Sequence, residues 1–402
     1  MKILFLTLIV PYPPDAGPRI KTWHVLKYLA EQGYSITLIT FVRKEEEKYL
    51  PHLKGVCEKV ISVPIRRTKI RDVLSLMSSQ LRGTPFLIER DFRPAMMQAI
   101  KKLLVEETFN VIHIDQVNMA QFILKRNSLY ISSKTIFDAH NATWAILERM
   151  RSQVPLFIRP LVSQEAKKLK KFEHRLVQEF DHVLTVTDID RDLLLENPND
   201  PSLLSKLHVL PIAVNTQEIQ PVMRKKGSQQ ILTIGSLNYP PNADGIRWFL
   251  REVFPLIKKI NDKATLTIIG KNPPKDFYHL AAPFGEDIQI KGYVEDLTPH
   301  LENSALMVVP VLAGGGMRVR ILEAFARGIP VVTTTIGLEG IAANNGMDVL
   351  VENDPISFAK AVLNLLDQPA QQQTLAENAR KLVTSLYDWK VVLKELDRIY
   401  QI

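Results

Sequence analysis

Short runs of apolar residues recur along the chain, separated by longer stretches in which apolar positions return every three or four residues. The runs KILFLTLI, YSITLITF, NVIHI, KTIFDAH and HVLTVT read as short buried strands. The stretches IKTWHVLKYLAEQG and EAKKLKKFEHRLVQEF between them carry the 3.6-residue period of amphipathic helices. Strands without polar alternation, spaced by helices, predict a parallel, doubly wound sheet covered on both faces. The rhythm then starts again. QQILTIGSL, ATLTIIG, IQIKGYV, ALMVVPV and IPVVTTT alternate with DGIRWFLREVFPLIKKI, FAKAVLNLLDQ and TLAENARKLVTSL. The polar joint Lys225, Lys226, Gly227 and Ser228 suggests a boundary, with one Rossmann-like domain over 1–222 and a second over 223–388.

Composition changes this picture in three ways. A length of 402 residues with 46% hydrophobic content suits two sizeable cores. The single cysteine, Cys57, cannot form an internal disulfide, which favours a reducing compartment and a cytoplasmic location. MKILFLTLIV lacks a small-residue cleavage pattern and runs straight into PYPPDAGPRIKT, so it reads as a first buried strand. No apolar run approaches the roughly 18 residues of a membrane span. Charge is uneven: of the net +8, the first two hundred residues carry +7. The excess gathers in residues 64–102, where Arg66, Arg67, Lys69, Arg71, Arg82, Arg90 and Arg93 alternate with Leu, Ile, Phe and Met. That interleaving suits an anionic membrane surface or a lipid-linked acceptor, against the plainer reading of a solvated helix whose apolar side packs inward. A nucleic-acid partner is disfavoured, because the segment has none of the aromatic or zinc spacings of a reader module and the second half is nearly neutral.

Candidate chemistry concentrates in GGGMRVRILEAFARGIPVVTTTIGLEGI. Glycines 314–316 precede a short helix bearing Glu323, which ends near Arg327 and Gly328 before an apolar strand. Glycine lets backbone amides approach a ligand, and the following helix aims its unpaired N–H groups at the same place. The combination resembles the nucleotide-sugar site of retaining family 4 glycosyltransferases, and GGGMRVRILEA is similar to a subgroup associated with exopolysaccharide gene clusters. VPYPPDAGPRIKTWHVLKYLA resembles the same subgroup at its first loop.

That resemblance implies the GT-B architecture, an α/β fold of two Rossmann-like domains facing across a cleft, with a single final helix over 389–402 returning to pack on the first. It implies a hexosyltransferase that moves a sugar, with retention, from a nucleoside diphosphate sugar to a glycan or lipid-linked acceptor in polysaccharide or glycoconjugate synthesis. The enzyme would be cytoplasmic and peripheral on the membrane's inner face. No cofactor and no obligatory metal are expected beyond the sugar nucleotide as co-substrate. Glu323 would hold the ribose hydroxyls. Gly17, Gly235, Gly315 and Gly316 would offer backbone contacts, while Tyr293 and Val294 border the nucleobase. His140, at the end of KTIFDAH, would reach the sugar near the reacting carbon, with Asp138 and Asn141 as orienting groups and His113 in reserve.

The chain departs from the family in two places. Most members have a glutamate at the position of Gly315, and an Arg/Lys pair after the first strand of the second domain, where this chain has Ser236 and Asn238. Arg318 or Arg320 must then supply the charge that a departing diphosphate needs, and Arg318, which matches the subgroup's arginine, is the one expected to do so. The departures leave two other readings open: a noncatalytic nucleotide-sugar-binding scaffold and a sugar-nucleotide epimerase. DID at Asp188–Asp190 imitates a metal motif of another transferase fold, but Asp188 reads as a helix cap.

Overall fold

The computed structural model describes residues 1–15, 17–124, 132–197 and 200–401. The chain divides into two compact units, Met1–Ile212 with Leu393–Ile402, and Ala213–Val392. The division falls between Ile212 and Ala213, ahead of the polar joint at Lys225–Ser228.

The first unit contains strands β1 (Lys2–Thr7), β2 (Ser35–Val42), β3 (Lys59–Pro64), β4 (Val111–Asp115), β5 (Lys134–His140), β6 (His182–Thr185) and β7 (Leu207–Val209). They form one sheet in the order β3-β2-β1-β4-β5-β6-β7, and every paired neighbour is parallel. Central strands such as β1 and β4 are buried almost throughout, because helices cover both faces. The chain winds outward one way from β1, then jumps to β4 and winds the other way. The gap between the carboxyl ends of β1 and β4 is therefore a topological switch point, where ligands bind in such sheets.

The last residues join this unit. Tyr28 donates to Asp397 at 2.7 Å, and His208 lies 3.5 Å from Glu395. His113 shares a 2.6 Å hydrogen bond with the Tyr400 hydroxyl. The single terminal helix expected from Trp389 is broken in two, Trp389–Val392 in the second unit and Glu395–Tyr400 in the first.

The second unit repeats the plan. Strands β8 (Gln230–Ile234), β9 (Thr265–Ile269), β10 (Ile288–Lys291), β11 (Ser304–Val309), β12 (Val331–Thr333) and β13 (Leu350–Val351) run in the order β10-β9-β8-β11-β12-β13, again parallel. Its switch point lies between β8 and β11. The helix Pro240–Trp248 packs so closely on the end of β11 that a Cβ on Gly245 would lie 1.6 Å from the Pro310 carbonyl oxygen. Only glycine fits there.

Candidate functional site

Two side-chain groups stand at the two switch points, each within its own unit. In the first, the helix Gly17–Glu31 follows β1 and turns Lys21 and Thr22 inward. Lys21 is wholly buried and donates to Asp138 at 2.6 Å. Thr22 donates to Asp115 at 3.0 Å, and His140 Nε2 lies 2.7 Å from the same carboxylate oxygen. An ion pair taken fully out of water persists only when its geometry and neighbouring hydrogen bonds are good. These are. Burial pushes the Asp138 carboxyl up, but Lys21, then His140 and His113, outweigh it and hold it below its ordinary value.

His140 has a left-handed backbone, φ 61°. That region is uncommon for residues with a side chain, and such residues cluster at functional sites. Its ring is buried against Asp115. His113, on the neighbouring strand β4, is fully buried, and desolvation lowers its pKa to about 4 despite Asp138 and Asp115 nearby. It is neutral at physiological pH. His113, Asp115 and Asp138 each offer one ligand atom within 4.8 Å of the others, so among the described residues these three could hold a metal. The Lys21 ammonium already supplies a cation to that group. Gly17 heads the helix, and a Cβ there would meet only Ile212 Cδ1, at 3.8 Å.

The second group is built differently. Gly314 and Gly316 have φ 109° and 81°, so the loop takes a path closed to most side chains. The helix Val319–Ala326 starts directly behind it. Arg318 donates to the carbonyls of Gly315 and Gly316, bracing the loop from within. Arg320 lies beyond, and a Cβ on Gly235 would sit 2.6 Å from its guanidinium. Its Nε is buried with no hydrogen-bond partner, and among the described residues no carboxylate pairs with it. Burial, then the charge on Arg318, pushes the Arg320 guanidinium down to about 10, still charged at neutral pH. A buried cation without a counter-ion is costly unless a ligand supplies the anion.

Glu323 lies farther along the same helix with its side chain open to solvent. Surrounding protein raises its carboxyl above the ordinary value, and Arg327 opposes that rise. Tyr293 and Val294 follow β10. Tyr293 is exposed, with the Lys271 ammonium 4.6 Å from its ring centroid. The structure therefore groups Gly235, Gly315, Gly316, Arg318 and Arg320 at one switch point, and His140, Asp138 and His113 at the other. Asn141 follows His140 directly. Sequence reasoning missed Lys21, because a lysine in an amphipathic helix ordinarily faces water. The cap before Asp188 needs correction: Thr187 accepts from the Asp190 N–H at 3.0 Å, while Asp188 pairs with Arg191. The hydroxyl was one residue nearer the start of the helix.

Two parallel sheets of this order, each with loops gathered at its switch point, define a GT-B fold. Residues 228–368 match the family model described as Glycosyl transferases group 1. The chain is similar over its whole length to a Klebsiella pneumoniae protein named only as an uncharacterized 44.6 kDa protein in the cps region, 22% identical over 98% of each chain. It is 20% identical to the phosphatidyl-myo-inositol mannosyltransferase of Mycobacterium leprae, over 77% of this chain and 78% of that one. Among solved structures, sucrose-phosphate synthase from Thermosynechococcus elongatus superposes with a TM-score of 0.70 at 17% identity, covering 99% of this chain and 98% of the other. HepE of Anabaena, in complex with UDP and glucose, gives 0.68 at 12% identity and 99% of both chains. The matches support a glycosyltransferase of the GT-B type.

Proposed function

We propose that the chain is a retaining glycosyltransferase of family 4 that moves a hexose from a nucleoside diphosphate sugar to a glycan or lipid-linked acceptor in polysaccharide synthesis, working in the cytoplasm at the membrane's inner face. The observation that carries this reading is Arg320, a half-buried guanidinium whose Nε is buried without a partner and which has no carboxylate among the described residues, beside Gly235 and the glycine loop. A diphosphate supplies the missing anion, and its growing charge as the glycosidic bond breaks is what such a cation stabilises. Arg318 holds the loop so that the Gly315 and Gly316 amides stay available, and Glu323 takes the ribose hydroxyls. Tyr293 and Val294 border the base. In the first unit His140 contacts the sugar, Gly17 offers its backbone, and the Lys21–Asp138 pair keeps the loop after β5 in place. Front-face substitution assisted by the leaving phosphate fits this set, with no metal required.

A panel of UDP-, GDP-, ADP- and TDP-sugars read by thermal shift tests it, since a ligand that binds only the native state raises stability with concentration. One base should raise the melting temperature strongly, and Arg320→Ala should erase the rise. If no sugar nucleotide shifts it, the donor reading fails. If the donor binds but is isomerised without any acceptor, the protein is an epimerase. Binding without any turnover across an acceptor panel would mark a scaffold.

A further inference from the structure

The helix Lys69–Arg82 is turned inside out. Ser75 and Ser79 face the protein, while Ile70, Leu74, Met77 and Leu81 face water with relative exposures of 77, 60, 58 and 87%. At about 100° per residue, those four positions fall on one narrow stripe, with Val73 at its edge. Lys69 stands on one flank, Arg71 and Arg82 on the other, each about 90–110° from the stripe's centre. A helix that rests on a soluble core turns its apolar stripe inward.

Polar anchors hold this one the other way. Ser79 donates to the Thr84 carbonyl at 2.7 Å, and Lys168 donates to the Ser79 hydroxyl at 2.8 Å. Glu165 accepts from Gln80 at 2.9 Å and from the Phe86 N–H at 2.8 Å. Thr68 caps the start, and Gly83 ends the helix in the left-handed region. Rotating the stripe inward would bury cations and strip these groups of their partners. The exposed face is therefore fixed by the fold, and it asks for a cover.

We infer that this helix docks the protein on the anionic face of a lipid bilayer, with the stripe Ile70, Leu74, Met77 and Leu81 below the headgroups and Lys69, Arg71 and Arg82 level with the phosphates. An apolar stripe with cations on both flanks is the arrangement of a helix lying in a membrane interface. Charge selects this occupant. A second copy of the chain would bring the same cations against one another, whereas anionic lipid neutralises them. No helix among the described residues is long and apolar enough to cross a membrane, so contact through this face is lateral. An open groove of about 620 Å³ flanks the stripe, where Arg71 stands beside Ile70, Leu74 and Phe92. There a headgroup phosphate can meet the guanidinium while the first acyl carbons lie on the apolar side chains.

This deepens the membrane-associated part of the proposed function and stands apart from the sugar chemistry, so vesicle binding is read without any donor. The full chain is sedimented with vesicles of phosphatidylcholine alone or mixed with phosphatidylglycerol, at low and high salt. Binding should rise about tenfold or more with the anionic lipid and fall with salt. Leu74→Glu with Met77→Glu should abolish it while leaving the melting temperature and sugar-nucleotide binding unchanged. Equal binding to neutral and anionic vesicles overturns the proposal, as does undiminished binding by the double variant. Absence of vesicle binding together with a dimer that the double variant dissociates would assign the face to a second copy instead. A donor panel that fails while vesicle binding succeeds would sink the transferase reading and leave the docking helix standing.

Discussion

At the carboxyl ends of β1, β4 and β5, Lys21, Thr22, Asp115, Asp138 and His140 are buried and bonded to one another. At the matching ends of β8 and β11, the second unit sets Arg318 and Arg320 among glycines, and the Arg320 guanidinium has no carboxylate among the described residues. The sheets have the same topology up to the extra edge strand β7. Their loops use charge in opposite ways. The first unit pairs its buried cation internally, so the charge stabilises structure and holds His140 in its left-handed backbone. The second leaves a cation that no carboxylate among the described residues meets. Similar sheet frames therefore carry different tasks through the few residues at one switch point.

The largest effect should come from breaking the internal pair. Lys21→Ala strands Asp138 in the interior and should cost about 3–5 kcal/mol of stability in the first unit, measured by denaturant unfolding. Lys21→Met combined with Asp138→Asn should recover most of that loss. A Lys21→Ala protein as stable as the wild type would mean that the buried pair holds nothing together.

Arg320→Ala is the counterpart in the second unit. With no carboxylate left behind, the melting temperature should hold or rise. Nucleoside diphosphate binding should weaken by about 1.5–3 kcal/mol, the range for hydrogen bonds to a charged group. Calorimetry on the base chosen by the donor panel decides the matter. Unchanged affinity together with lost stability would make Arg320 structural and return the diphosphate charge to Arg318.

Acid titration sharpens the contrast further, because two buried groups of the first unit pull in opposite directions. Glu173 accepts from the backbone N–H groups of Thr143 and Trp144, yet burial dominates and raises its carboxyl to about 7. The native state therefore holds a proton there that the unfolded chain releases, and stability falls as pH climbs from about 4.5 to 7. His113 is lowered to about 4, so its contribution rises with pH between about 4 and 6.5. The two slopes oppose each other. In Glu173→Gln the histidine slope stands alone, and stability should rise between pH 4.5 and 6.5 by on the order of 1 kcal/mol per pH unit. A variant whose pH profile parallels the wild type would show that Glu173 does not hold that proton.

The smallest effect is expected at Gly235→Ala. The new methyl would press on the far end of the flexible Arg320 side chain, 2.6 Å away, and displace it without disturbing the sheet. Donor affinity should fall a few-fold, by less than about 1 kcal/mol, with the melting temperature unchanged. Loss of stability instead of affinity would place the constraint in the backbone.

Much of this fold was legible in the order of residues. Central strands such as KILFLT and SALMVV are apolar at nearly every position because both faces of a parallel sheet are covered. The strand KVISVP escaped notice, as did the two-residue β13, since edge strands are only partly buried and carry a weaker apolar signal. The glycine loop was also readable, because φ above zero at Gly314 and Gly316 restricts the choice of residue.

The sequence alone determined the repeated strand–helix rhythm, the glycine loop before its helix, and the apolar stripe from Ile70 to Leu81 with its flanking cations. Tertiary structure decided which way that stripe faces, since the inward pull of Ser79 comes from Lys168 and the turn at Thr84, not from the helix itself. It decided that Lys21 is buried, because Asp138 stands far along the chain and only the pairing of β1, β4 and β5 brings them together. It also separated the two arginines. Arg318 and Arg320 are chemically alike and two positions apart, but one reaches back to the loop carbonyls and the other reaches Gly235. Local patterns record what a residue prefers; its partner is set by contacts distant in sequence, and a charge takes its meaning from that partner.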